Sequence, residues 1–174
     1  MNTTTENLFS PLQLGPLHLP NRFVMAPLTR GRAEADGTPN SLMADYYVQR
    51  ASAGLIVSEA TAVSPQGFGW LGAPRIYNQA HVAGWGKVTE AVHAAGGRMF
   101  LQLWHMGRVS HPDFLKGELP VAPSAIGAQG DTHTPQGKKD YVSPRAMEVS
   151  EIAEVIREYA YGARLARQAG GDGG

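Results

Sequence analysis

Short apolar runs alternate with stretches of helical periodicity along this chain, and that alternation most constrains the fold it can adopt. Residues 23–27, 55–57 and 99–104 are rich in apolar side chains, which is typical of parallel strands buried on both faces. Between the last two runs, apolar residues such as Trp85 and Val88 recur at helical spacing. The order predicts an α/β fold with a parallel sheet, either doubly wound or part of a barrel.

The N-terminal stretch predicts a β-hairpin, and a helix follows the first strand. Leucines alternate with other residues on both sides of the Gly15-Pro16 turn. Thr38 and Pro39 suit the N-cap and first turn of the helix, and Gly54 is expected to end it. The apolar face of this helix comprises Leu42, Met43, Tyr46 and Tyr47.

The last predicted helix follows residues 105–147, which are irregular and rich in Pro, Gly, Ser and His. Ser150 is expected to cap this helix and Gly170 to end it. Its inner stripe is predicted to comprise Ile152, Val155, Ile156, Tyr159, Ala163 and Ala166.

Composition limits the classes of partner. The 15 basic and 15 acidic side chains cancel, which argues against a nucleic-acid footprint and against electrostatic membrane binding. The absence of cysteine excludes disulfides, thiolate metal sites and a cysteine nucleophile. No apolar run approaches the roughly 20 residues of a membrane span, and the N-terminus lacks signal-peptide blocks. We therefore expect a cytoplasmic protein.

Gly67, Gly69 and Gly72 match the dinucleotide-binding fingerprint letter for letter. That motif requires a strand directly before it and a helix opening from it, whereas Pro65 precedes these glycines and Pro74 follows them. A loop is the favoured interpretation, and a nicotinamide-binding domain is the weaker alternative.

Three histidines, His105, His111 and His133, lie in the irregular stretch. They have neither metal-site spacing nor a helix that would align them, so no metal site is predicted.

Polar side chains at the ends of the predicted strands are more informative. Thr29, Glu59, Ala60, Gln102 and Trp104 all fall at or just after strand carboxyl ends, the face that carries chemistry in a β/α barrel. Gln102 lies within an otherwise apolar strand and needs partners for its donors and acceptor. These partners could be a flat heterocycle or neighbouring backbone.

Four ordered blocks resemble the Old Yellow Enzyme family of FMN-dependent ene-reductases. They lie at residues 21–30, 46–56, 58–61 and 102–108. The resemblance runs from about Leu8 to Gly170 and implies the N-terminal portion of a (β/α)₈ TIM barrel with a capping hairpin. That portion would comprise about three βα units and the helix before the fourth strand. Residues 1–170 are thus assigned to this half of the barrel, and residues 171–174 to a Gly-rich tail or linker.

The resemblance also implies roles for individual residues. Pro27, Leu28 and Thr29 would lie along the flavin, with the Thr29 hydroxyl tuning it through a ring carbonyl. Ala60 would let the ring approach, and Gln102 would contact its pyrimidine edge. Trp104 and Trp70 would line the substrate pocket.

The implied chemistry is reduction of FMN by NAD(P)H, followed by hydride transfer to an activated alkene such as an enone, enal or nitroalkene. In the family, the substrate-holding donors and the tyrosine acid lie on and after the fourth strand, where this chain ends. We therefore expect a fragment that needs a second chain or segment for catalysis. A non-catalytic half-barrel that serves as a structural or assembly module is the alternative. The open sheet is expected to expose Phe23, Met25, Ile56, Val57 and Leu101, or their neighbours, to water.

Overall fold

The computed structural model describes residues 7–173 of the chain. In chain order the strands are β1 (Leu12–Leu14), β2 (Leu17–Leu19), β3 (Val24–Met25), β4 (Leu55–Ala62), β5 (Met99–Trp104), β6 (Val121–Ala122), β7 (Asp131–Thr134), β8 (Gly137–Asp140) and β9 (Arg145–Ala146). The helices are α1 (Ser41–Val48), α2 (Gln79–Ala94) and α3 (Val149–Gln168), and a 3₁₀ turn lies at Gly107–Val109.

Strands β3, β4 and β5 form a parallel sheet with β4 in the middle. The predicted strand–helix alternation and parallel pairing are therefore confirmed. The predicted N-terminal hairpin is also present, because β1 pairs antiparallel with β2. Within the described residues, β3 pairs with β4 alone, so its other edge is open.

Helices cover one face of this sheet and build the core. The buried cluster comprises Met43, Tyr47, Ile56, Ile76, Val82, Trp85, Val88, Val92, Met99, Leu101, Leu165, Ala166 and Ala169. Because side chains alternate along a strand, Phe100, Gln102 and Trp104 point to the opposite face and are only half-buried. The expected exposure of Ile56 and Leu101 is thus wrong, since both lie on the covered face, whereas Phe23 is exposed as expected.

Helix α1 begins later and ends earlier than predicted. Its N-cap is Asn40 rather than Thr38, because the Asn40 side chain accepts the Met43 N–H. Gly54 does not end the helix, because α1 already ends at Val48. A Cβ at that position would lie 2.1 Å from the Asn21 carbonyl oxygen, so the glycine permits a close backbone approach. Leu42, predicted on the apolar face, is 57% exposed.

Helix α3 has Glu148 at its N-cap instead of Ser150. The predicted inner stripe is wrong in its first half, because Ile152 and Ile156 are exposed. The buried residues are Gly162, Leu165 and Ala166, near the C-terminal end of the helix. Only that end packs against the described sheet, so helical periodicity alone placed the stripe too early.

The Glu151 carboxylate anchors the start of α3. It accepts the Glu148 main-chain N–H and two N–H groups of Arg145, each at 2.7 Å. These bonds favour the ionised form and lower the pKa of Glu151 from 4.5 to about 2. A group with a lowered pKa in the folded state stabilises that state above its ordinary pKa and loses this effect as the pH falls.

We therefore expect a peptide of residues 144–170 to be more helical than its Glu151→Gln variant at neutral pH. The difference should shrink as the pH falls from about 4.5 to about 2. Far-ultraviolet circular dichroism measures it, and a Glu158→Gln peptide serves as the control. If the difference in helicity between the unmodified and Glu151→Gln peptides stayed constant across this pH range, the lowered pKa of Glu151 would be contradicted.

The stretch predicted to be irregular contains paired strands. Strands β7 and β8 form an antiparallel hairpin, and β6 pairs with β9. The Asp113 carboxylate binds the hairpin by accepting the Thr134 hydroxyl at 2.6 Å and pairing with Lys139 Nζ at 2.7 Å. This hairpin is polar and therefore gives no apolar alternation in the sequence.

Residues 171–173, assigned from the sequence to a tail or linker, lie along β5. The Asp172 N–H donates to the Met99 carbonyl at 2.9 Å, and the Leu101 N–H donates to the Gly173 carbonyl at 3.0 Å. The Asp172 carboxylate also accepts the Met99 N–H and contacts His93 Nε2. The segment thus continues the parallel sheet beside β5.

Candidate functional site

The carboxyl ends of β3, β4 and β5 bring several predicted site residues to one edge of the sheet. Ala60 pairs in register with Gln102, and Ala62 pairs with Trp104. Residues paired in register project to the same face, so Ala60, Gln102 and Trp104 share the face opposite the helices. The register shifts between Val57 and Ala60, and Glu59 is directed to the helical face, where it contacts Tyr47 on α1.

The Gln102 side chain is half-buried on this face. Its main-chain N–H donates to Ser58 Oγ at 3.0 Å. None of the hydrogen bonds found within residues 7–173 involves its side-chain amide. Two donors and an acceptor are therefore free to contact a ligand at the strand ends.

The segment after β3 forms the adjacent wall of this edge. Pro27 and Leu28 are exposed, and Leu28 keeps 56% of its surface accessible. Thr29 is half-buried, and its hydroxyl makes no hydrogen bond within the part of the chain that the structure describes. An apolar strip and a free hydroxyl therefore follow one another along this wall.

A buried carboxylate fixes the backbone beyond Thr29. Glu59 is 1% exposed, and its Oε2 accepts the N–H groups of Arg30 and Gly31, both at 3.0 Å. Tyr47 Oη donates to Glu59 Oε1 and accepts the Glu59 N–H at 2.8 Å. Burial raises the pKa of Glu59, while the N–H donors oppose that shift. The strand-end position of Glu59 indicates a role, but no pattern of side chains along the chain predicts these main-chain partners.

The glycine-rich loop crosses the same segment from the other side. A Cβ on Gly72 would lie 2.3 Å from the Gly31 carbonyl oxygen, and the Ala33 N–H donates to the Gly72 carbonyl at 3.0 Å. No helix opens from this loop, since α2 begins at Gln79. The loop interpretation is confirmed, and the nicotinamide-binding alternative built on these glycines is wrong.

The two tryptophans lie in different surroundings. Trp104 is half-buried on the face of Gln102, and its indole N–H is buried without a hydrogen bond in the described region. Trp70 is 47% exposed and lines a surface pocket with Asp131 and His133 of the β7–β8 hairpin and with Tyr141, which follows it.

The histidines are separated along the irregular stretch. His105 is half-buried, and its Nδ1 accepts the Gly107 N–H at 3.0 Å. Burial lowers the pKa of His105. His111 lies beside Asp113, whereas His133 is exposed on β7. No cluster of three or more metal-ligating side chains occurs among residues 7–173.

None of the described helices is long and apolar enough to cross a membrane.

The fold is that of an α/β protein, with a candidate ligand site at the carboxyl ends of its parallel strands. The chain belongs to the NADH:flavin oxidoreductase / NADH oxidase family, whose sequence profile matches residues 7–173. The resemblance found in the sequence is therefore confirmed, and flavin is the cofactor that the family's description names.

The curated relatives are longer than this chain. It is 46% identical over 173 residues to flavin oxidoreductase hxnT of Emericella nidulans, covering 97% of this chain and 44% of that protein. It is 41% identical over 172 residues to a probable flavin mononucleotide-dependent alkene reductase of Leishmania infantum, covering 95% and 47%. The chain thus spans about half the length of the curated relatives it matches.

Two solved structures also match almost the whole of this chain, which covers about half of each of them. The Old Yellow Enzyme homologue of Zymomonas mobilis superposes with a TM-score of 0.93 at 50% identity, covering 97% of this chain and 47% of that one. Morphinone reductase superposes with a TM-score of 0.92 at 47% identity, covering 99% and 48%. These similarities establish the α/β fold over almost the whole chain.

Proposed function

We propose that this chain supplies one side of the FMN site of an NAD(P)H-dependent ene-reductase that acts on activated alkenes such as enones, enals or nitroalkenes. The observation that carries the proposal is the free Gln102 amide beside Ala60 at the strand ends of a flavin-family protein. One relative is itself named a probable flavin mononucleotide-dependent alkene reductase, which supports this reaction class.

The residues at this edge fit a flavin. The Gln102 amide offers donors and an acceptor that match the alternating N–H and C=O groups of a pyrimidine edge. Ala60 presents only a methyl group on the same face, so it adds little bulk beside the amide. Pro27 and Leu28 present apolar surface next to the free Thr29 hydroxyl.

In this proposal each residue has a binding or tuning role. Gln102 orients the ring through its amide, and Pro27, Leu28 and Ala60 pack against the ring. Thr29 donates its hydroxyl hydrogen to a ring carbonyl, which favours negative charge there. A flavin held by these residues would supply two-electron chemistry, in which hydride from NAD(P)H is transferred to the alkene. Trp104 lines the substrate side, and Trp70 does so from the glycine-rich loop, beside the β7–β8 hairpin.

The proposal includes completion of the fold. Residues 7–173 form the N-terminal portion of a (β/α)₈ barrel, in which the β1–β2 hairpin closes the bottom. A second chain or segment adds the remaining strands, together with the donors and acid that act on the alkene. The open edge of β3, and a chain about half as long as its relatives, support this arrangement.

The test joins this chain to the C-terminal portion of the Zymomonas mobilis homologue, a hybrid that we call the completed protein. With FMN added, we expect it to oxidise NADPH in the presence of an enone. A folded completed protein that binds FMN without reducing any enone, enal or nitroalkene would contradict the proposed reaction.

The two polar residues give a sharper prediction. We expect Gln102→Ala and Thr29→Ala each to weaken FMN binding to the completed protein by about five- to a hundredfold, because each leaves a polar group of the ring unpaired at a cost of ~1–3 kcal/mol. Fluorescence quenching of FMN measures the dissociation constant. Gln168→Ala on the exposed surface of α3 is the matched control. Unchanged affinity in both site variants would refute the assigned roles.

A second candidate is a non-catalytic half-barrel that serves as a structural or assembly module. The open β3 edge favours it, because an unpaired strand edge readily pairs with another chain. Tight FMN binding by the chain alone would count against this alternative.

A further inference from the structure

We propose that Glu59 is a positioning residue of the cofactor site, which holds the turn after β3 so that Thr29 is presented to the flavin. The proposal rests on the proposed function, because it assumes that Thr29 contacts the cofactor. The residues involved, Glu59, Tyr47 and the main-chain N–H groups of Arg30 and Gly31, are called the Glu59 network below.

The contacts of Glu59 are directed at the backbone that follows Thr29. One carboxylate oxygen, Oε2, accepts two successive N–H groups, of Arg30 and Gly31, at 3.0 Å each. Successive N–H groups that converge on one oxygen fix the local backbone direction, because both bonds require one turn geometry. The Thr29 carbonyl belongs to the same peptide unit as the Arg30 N–H, so this turn also sets the position of Thr29.

Tyr47 in turn fixes Glu59. Its hydroxyl accepts the Glu59 N–H at 2.8 Å and donates to Oε1 at 3.3 Å. The Tyr47 ring is fully buried in the core between α1 and α2. The carboxylate is therefore anchored to the helical face of the sheet, while the turn it holds reaches the carboxyl edge.

On its other side, the turn packs closely against the backbone of the glycine-rich loop. Gly31 has φ +60°, and a Cβ there would lie 2.6 Å from the Leu71 carbonyl oxygen. The turn thus lies between the Glu59 carboxylate and the glycine-rich loop. Loss of the carboxylate would release one of these two supports, without removing any atom that contacts a ligand.

Burying a carboxylate is costly unless it is paired with a charge or well hydrogen-bonded. Glu59 makes no ion pair with a described residue at hydrogen-bond distance, although Arg30 contributes favourable charge from nearby. Its partners are instead two N–H groups and one hydroxyl. This pattern is that of an acceptor for backbone donors, and an uncharged glutamine can retain much of it.

The experiment uses the completed protein with FMN bound and measures two quantities. The first is the rate of trypsin cleavage after Arg30 and Arg32, whose side chains are exposed and which flank the held turn. The second is the flavin midpoint potential, followed by visible absorption during a reductive titration. The variants are Glu59→Ala, Glu59→Gln, Tyr47→Phe and Thr29→Ala, with Glu90→Ala on the exposed side of α2 as the matched control.

We expect Glu59→Ala to speed cleavage by about tenfold or more, since two hydrogen bonds to a carboxylate are lost. Its midpoint potential should fall by about as much as that of Thr29→Ala. Glu59→Gln should restore most of both properties, and Glu90→Ala should change neither. Tyr47→Phe should shift both quantities in the same direction by less, and it tests the network even where Glu59→Ala fails to fold.

Two results would overturn the proposal while the proposed function stands. In the first, Thr29→Ala shifts the potential, but Glu59→Ala and Tyr47→Phe change neither quantity. In the second, cleavage speeds up but the potential stays at the wild-type value. A Thr29→Ala protein with unaltered potential and FMN affinity is a different failure, because it removes the flavin contact itself and the positioning role with it.

Discussion

Purified alone, the chain is expected to sediment as self-associated species and to unfold without a sharp transition, whereas the completed protein should be monodisperse and cooperative. The reason is the apolar surface that the described sheet and helices leave uncovered. Val24 is 54% exposed beside the open β3 edge, and Phe23 and Leu28 are exposed near it. On α3, Ile156 is 64% exposed.

The magnitudes favour this outcome. Each large apolar side chain left in water forfeits roughly 1.5–3 kcal/mol of burial, and a whole domain has only about 5–15 kcal/mol of net stability. A few uncovered side chains can therefore remove the margin. The open edge of β3 adds unpaired backbone groups that favour association.

Analytical ultracentrifugation and thermal unfolding of both proteins test this expectation. Lys residues introduced at Val24 and Ile156 provide a control, because they should reduce self-association of the chain alone. A monodisperse monomer of the unmodified chain with one sharp transition would show that the uncovered surface is tolerated.

The second large effect is expected in the core, where Trp85→Ala should lower the unfolding free energy of the completed protein by about 3–5 kcal/mol, the usual range for a buried tryptophan. Trp85 is fully buried in the cluster between the helices and the sheet, with its ring 6.4 Å from that of Tyr47. Its removal would leave a large cavity at the centre of the helix–sheet interface.

Trp85→Phe separates volume from hydrogen bonding. The indole N–H of Trp85 is buried without a hydrogen bond among the described residues, so phenylalanine loses volume but no polar contact. We expect this variant to cost clearly less than alanine. Denaturant unfolding measures both variants, and Lys87→Ala on the exposed face of α2 should stay within about 0.5 kcal/mol of wild type. Equal losses for alanine and phenylalanine would contradict the packing explanation.

The sheet and the positions of its helices could be predicted because they depend on burial, which leaves a periodic pattern. The runs that became β4 and β5 are apolar for this reason, and Trp85 and Val88 recur on the buried face of α2. The same reasoning failed on α3, where Ile152 and Ile156 follow the helical period but lie beyond the part that packs on the sheet. Periodicity identifies an apolar face but not what covers it.

The polar parts of the site were less accessible to sequence reasoning. Gln102 stood out because an amide inside an apolar strand needs partners. The β7–β8 hairpin did not stand out, since Asp113 holds it through Thr134 and Lys139 rather than through apolar packing. Glu59 was placed at a strand end, but its main-chain partners lie 28 and 29 residues earlier in the chain. Contacts of this kind depend on backbone position and leave no side-chain pattern.

The use of main-chain donors by Glu59 has a consequence for directed evolution. Every residue type except proline carries the N–H group that the carboxylate accepts, so the bond at position 30 does not depend on which side chain stands there. Position 31 is more restricted, because its positive φ and the nearby Leu71 carbonyl favour glycine. Libraries that randomise Arg30 can therefore vary charge and size beside the strand-end edge while the turn keeps its support, whereas libraries at Gly31 would sample mostly strained backbones.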